Sequence, residues 1–180
     1  MTWPMVKEVL TNKNILFTAL GYMSMNYVFF IFYSWIFIYF VNIRGFDVLE
    51  GSMLASLPFL MGAIGATCGG LMCDRLQKRY GVIWGHRIPI IIGLIPSAGF
   101  LLFGSITEHP YLAVLSLSLC YGFIELTEGP FWSTIGFISD KPQAAGGILN
   151  TGGNLGGVLA TPLIPIMVEQ YDWVIALNSG

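Results

Sequence analysis

Charge is what this chain has least of. Its 180 residues include only 8 Lys or Arg and 10 Asp or Glu, so 10% are charged, against about 25% in ordinary soluble domains. With 55% of residues hydrophobic, too few polar side chains remain to cover a surface in water. A soluble globule is excluded in favour of an integral membrane protein. Cysteine is scarce too. Cys68, Cys73 and Cys120 all lie in or at the ends of apolar runs, without paired metal-ligand spacing, and read as small packing residues. No basic patch with interleaved aromatics is available for nucleic acid. A hydrolase triad, a phosphate-cradling glycine loop and an HExxH zinc motif are all missing from the sequence. The chain therefore reads as no enzyme, with no cofactor and no metal. No short apolar region with a small-residue cleavage site follows Lys7, so a signal peptide is not expected.

The charge that is present is concentrated. Asp74, Arg75, Lys78, Arg79 and Arg87 sit in the stretch GGLMCDRLQKRYGVIWGHR, between the uncharged runs 51–73 and 88–107. One such group at the centre of a membrane helix costs roughly 2.5 to 3.5 kcal/mol. The stretch 74–87 is thus expected to be a polar loop in water or headgroups, joining two spans.

The same reasoning, taken along the chain, predicts an all-α polytopic bundle with five spans, near residues 14–43, 51–73, 88–107, 111–139 and 144–168. Met1 to Lys13 is a short polar lead. The fourth span contains Glu125 and Glu128 followed by Gly129 and Pro130, so a kink is expected there. With five spans, Lys7, Lys13, Arg75, Lys78, Arg79, Arg87 and Lys141 fall on one side and Arg44 alone on the other. Positive residues stay inside, which puts the N-terminus in the cytoplasm and the C-terminus, as given, opposite. The expected location is the plasma or inner membrane rather than an organelle.

Several residues inside the spans could carry chemistry. Glu125 and Glu128 are three apart and share a helix face. Ionisable groups at such depth face a cavity or a partner and often relay protons, which makes both proton-coupling candidates. The alternative is a place near the bilayer edge, or pairing with a basic residue elsewhere. Tyr22, Asn26 and Tyr33 recur at nearly one azimuth on the first span, and Asn150 and Asn154 do so on the fifth. They line a cavity or hydrogen-bond between packed helices. Gly65 with Gly69, Gly152 with Gly156 and Gly153 with Gly157 form GxxxG pairs for close helix approach. Those glycine faces are expected to meet a bundle outside this sequence. None of the five spans holds a buried Arg or Lys for an organic anion.

Gly70, Asp74, Arg75, Lys78 and Arg79 match the pattern G-x-x-x-D-R-x-G-R/K-R that major facilitator transporters carry between the second and third helices of each six-helix half. Gln77 stands where that pattern has glycine. SWIFIYFVNIRG, LPFLMGAIGATCGG and NTGGNLGG fit the same family. Over nearly its whole length the chain resembles the anion:cation symporter branch, which includes hexuronate, glucarate, tartrate and sialic-acid-type carriers. The resemblance implies the second half of such a transporter, helices seven to eleven, with the twelfth helix and the first half outside this sequence. It implies secondary active transport of a small organic anion or sugar acid, symported with a proton or cation, in partnership with the missing half or a full-length protein. It also makes the charged motif a gate and assigns anion-binding basic residues to the other half. Two other readings stay open: a truncated paralogue that regulates a full-length transporter without transporting, and a metal permease using Glu125 and Glu128 as ligands.

Overall fold

The computed structural model describes residues 9–180, and all regular elements among them are helices. Most of the expected polar lead lies outside the described residues. Helix α1, Lys13–Asn42, starts where the side-chain oxygen of Asn12 accepts the Asn14 N–H at 3.0 Å. Its 30 residues span about 45 Å at 1.5 Å per residue, more than the roughly 30 Å hydrocarbon thickness.

Helix α2, Val48–Ile106, is capped by Asp47, whose carboxylate accepts the Leu49 and Glu50 N–H groups at 2.9 and 3.0 Å. At 59 residues it is far longer than one crossing. The break falls at Gly81, φ 81° and ψ 169°, a backbone region that is essentially glycine's alone. This corrects the expected loop at 74–87, which is helical on both sides of Gly81. The physical reason lies in spacing: Asp74 and Lys78, like Arg75 and Arg79, are four apart. Such pairs line one side of a helix that leaves the bilayer still wound. Among the described residues four helical stretches are long and apolar enough to cross a membrane, because the expected second and third spans both lie within α2, on either side of Gly81.

Helix α3, Pro110–Glu125, and helix α4, Glu128–Ile138, are separated by a turn at Leu126 and Thr127. Pro130 has no N–H for the Leu126 carbonyl, so the ladder must open there. The buried Thr127 hydroxyl donates to the Ile124 carbonyl at 2.7 Å and closes the turn. Helix α5, Pro142–Gln170, and the short α6, Trp173–Leu177, complete the described chain.

Two pairings dominate, α2 against α3 and α1 against α5. Both use glycine. A Cβ at Gly65 would collide with the Gly122 carbonyl oxygen, and one at Gly69 with the Leu126 carbonyl oxygen, the one freed by Pro130. On the other side, Gly152 lies against Ala19, Gly153 against Tyr22 and Asn26, Gly156 against Met23 and Gly157 against Phe30. The expectation that these faces await another bundle is therefore corrected: each glycine pair meets a helix of this chain. Tyr39, Phe32, Phe40, Leu117, Ile135 and Leu149 form the dense interior, while Phe17, Leu49, Ile95 and Val158 project outward.

Arg44 fastens one end of the bundle. Its Nε donates to the Tyr39 hydroxyl at 2.9 Å, and its other nitrogens to the carbonyls of Gly104, Ser105 and Thr107. Those carbonyls end α2 and have no helical partner, and a cation there also opposes the helix dipole. The turn after α1 is thereby tied to the far end of α2.

Candidate functional site

Four helices contribute polar side chains to one concave face. Tyr22 and Asn26 come from α1, Glu125 and Glu128 from the ends of α3 and α4, and Asn150 and Asn154 from α5. With Phe29, Phe30 and Gly153 they line a cavity of about 290 Å³. Tyr22 lies roughly 14 Å along the axis from the start of α1 at Lys13, deep enough to be well inside the bilayer. Gly153 is what lets α5 come close: a Cβ there would lie 2.6 Å from Tyr22 Cε1 and 3.0 Å from Asn26 Nδ2.

The two acids are held differently. The Tyr22 hydroxyl donates to Glu128 Oε1 at 2.8 Å, and Trp132 Nε1–H donates to the same oxygen at 2.8 Å. Trp132 Nε1 also lies 3.3 Å from the Tyr22 hydroxyl, and the two rings meet edge to face. Glu125 stands one turn earlier, past the Leu126–Thr127 break. Its side chain packs against Gly62 of α2 and opens on the cavity. No hydrogen bond to its carboxyl is made among the described residues. The lining has two acids and no basic residue. The Asn26 and Asn154 side-chain nitrogens donate to the Tyr22 and Asn150 carbonyls, at 3.0 and 2.8 Å.

Of the residues singled out from sequence, Tyr22, Asn26, Glu125, Glu128, Asn150 and Asn154 meet here. Tyr33 does not; it is exposed and stacks on Phe29 further along α1. Trp132 was not singled out, although its position four residues after Glu128 puts it on the same helix face. Phe29 and Phe30 were likewise passed over among the many apolar side chains. Asp74, Arg75, Lys78 and Arg79 lie elsewhere, exposed on the helical extension before Gly81. Arg79 sits over the Tyr80 ring at 5.2 Å, and no ion pair joins Asp74 to a cation among the described residues. Gly70 is beside Gly129 of α4.

A multi-pass helical bundle with a polar cavity at membrane depth is the build of a membrane carrier. The chain belongs to the Major Facilitator Superfamily, whose family model matches residues 3–161. The relatives it matches are named as transporters. It is 31% identical over 168 residues to the probable galactarate/D-glucarate transporter GudP of Bacillus subtilis (strain 168), covering 90% of this chain and 36% of that protein. It is 29% identical over 166 residues to the hexuronate transporter of Bacillus subtilis (strain 168), covering 89% of this chain and 39% of that protein. With the probable sulfoacetate transporter SauU of Cupriavidus necator it shares 32% identity over 155 residues, 83% of this chain and 36% of that protein. The chain thus spans little more than a third of the length of these relatives.

Proposed function

We propose that this sequence forms the second half of a secondary active transporter. Its substrate is a small organic anion of the sugar-acid kind, moved with a proton or another cation by rocking of two bundles about a central site. The observation that carries this reading is the cavity itself, where polar groups from α1, α3, α4 and α5 converge inside otherwise apolar helices. The printed names of the relatives, for galactarate, glucarate, hexuronate and sulfoacetate, supply the substrate class. The cavity offers carboxylates and carboxamides but no cation, so the anionic group of the substrate is assigned to a basic residue on the partner bundle.

Asp74 with Arg75, Lys78 and Arg79 is assigned the gate. The exposed Asp74 carboxylate makes no ion pair among the described residues, which suits a latch that is made in one access state and broken in the other. The charge distribution puts this gate and the N-terminus on the cytoplasmic side, which a protease-sensitive tag placed after Gly180 and cut only from outside would verify.

The test is uptake of labelled D-glucarate by vesicles reconstituted with the complete transporter carrying this sequence, with and without an imposed pH gradient. Gradient-driven accumulation is expected, slowed by Asp74→Asn. Stable co-purification with a full-length relative, without any uptake, would favour the regulatory paralogue instead. Nothing on the cavity wall favours the metal permease: no three His, Cys, Asp or Glu side chains converge among the described residues.

A further inference from the structure

The two carboxylates at the cavity are three residues apart in sequence but sit in unlike surroundings. Glu128 receives two donors on one oxygen, the Tyr22 hydroxyl and the Trp132 indole N–H, both at 2.8 Å. Each uses a lone pair, and hydrogen bonds to an ionised acceptor are about twice as strong as neutral ones. The pair is rigid as well, since Tyr22 is buried and packs on both Phe131 and Trp132. Glu125 has neither donor. Phe29, Phe30, Gly62 and Tyr121 stand against it, and the cavity with Tyr22, Asn26, Asn150 and Asn154 opens beside it, so no donor among the described residues holds its ionised form while the cavity gives a proton a way in and out.

We propose that the two acids divide the work. Glu128 is a fixed carboxylate that orients the cavity wall, Tyr22 and Trp132 are its positioning residues, and Glu125 alone takes up and releases the coupled proton. The turn at Leu126–Thr127 makes this possible, because it puts the acids on different helices, α3 and α4. The titratable groups facing Glu125 among the described residues are Tyr22 from α1, Tyr121 on its own helix and Glu128 across the break; α2 brings Gly62 against it, and α5 brings Asn150, Gly153 and Asn154 to the same cavity. The step is a simple transfer. A proton from water on one side of the membrane adds to a Glu125 oxygen to give the neutral acid, and the same oxygen returns it to water on the other side. This assignment rests on the transport reading for its direction across the membrane, and on the local geometry for which acid carries the proton.

The experiment is infrared difference spectroscopy of the full chain in lipid nanodiscs, titrated from acid to alkaline pH, with the proton as the only ligand. Among the carboxylic C=O bands of the 10 Asp and Glu that disappear with rising pH, one is expected to come from Glu125. Glu125→Gln should abolish it, whereas Glu128→Gln should retain it, since the amide oxygen still accepts both donors. Tyr22→Phe combined with Trp132→Phe should shift the carboxylate stretching band that Glu128→Gln removes, since both donors to Glu128 are then gone. A titrating band lost in Glu128→Gln and kept in Glu125→Gln overturns the assignment, as does a Glu125→Gln spectrum with the same titrating bands as wild type. An unchanged spectrum in the Tyr22→Phe, Trp132→Phe variant overturns the positioning roles. Uptake measurements separate this from the broader reading: a titrating Glu125 in a protein that moves no solute sinks the transport reading and leaves the carboxyl assignment standing.

Discussion

Single residues set how closely these helices approach. At Gly65 and Gly69 the neighbouring atoms are backbone carbonyls of Gly122 and Leu126, which cannot rotate out of the way as a side chain could. Gly65→Val is expected to lower thermal stability in detergent by about 1 to 3 kcal/mol or more, the usual range for overpacking. Gly70, where an added Cβ would meet nothing within 4 Å, serves as the matched control: Gly70→Ala should leave the melting temperature within error. A Gly65→Val protein as stable as wild type would show that α2 and α3 do not pack as described. These contacts also explain one limit of the sequence. GxxxG announces a close approach, but the surface it approaches is a backbone carbonyl that every residue type possesses. Nothing in the letters of Gly122 or Leu126 identifies them as the partners. The cavity residues were more legible, because a carboxylate or carboxamide in an apolar run needs a polar reason to be there. Tyr33 misleads for a geometric cause. Eleven residues return a helix to nearly the same azimuth but advance it roughly 16 Å, so Tyr33 shares a direction with Tyr22 and not a depth.

Elements are decided by where the backbone can and cannot continue. Pro130 removes a donor and opens the fourth stretch after Glu125, a break that the Glu-Gly-Pro sequence announces. Gly81 gives a weaker signal. The four-residue spacing of Asp74, Arg75, Lys78 and Arg79 is a helical one, yet charge density alone suggests a loop, and only the positive φ at Gly81 marks where the helix turns. Gly81→Ala is expected to cost about 1 to 3 kcal/mol, the range for a non-glycine residue held in that region. Because a Cβ added at Gly81 would meet nothing within 4 Å, the loss must come from the backbone itself. Hydrogen exchange should then show the earliest extra opening around residues 78–87. Equal exchange in both proteins would contradict the break. At the opposite end of α2 the Arg44 guanidinium performs the complementary task, closing carbonyls that the helix leaves open.

At the scale of the whole molecule, apolar side chains such as Phe17, Leu49 and Ile95 turn outward to lipid, while one face gathers Tyr22, Asn26, Glu125, Glu128, Asn150 and Asn154. Composition alone established the membrane and the helical class, since a 10% charged chain has few other ways to satisfy its backbone in a bilayer. What no composition could supply is that α1, α3, α4 and α5 bring those polar groups to one level. The central claim is that this level is a water-filled transport cavity and not a hydrogen-bonded seam or a lipid-facing wall. It is tested most directly by labelling Asn154→Cys with a membrane-impermeant maleimide, in the complete transporter with Cys68, Cys73 and Cys120 replaced by alanine. The account predicts rapid labelling that D-glucarate slows, and none at Ile95→Cys on the outer face of α2. An Asn154→Cys protein as unreactive as Ile95→Cys, with or without D-glucarate, would contradict it.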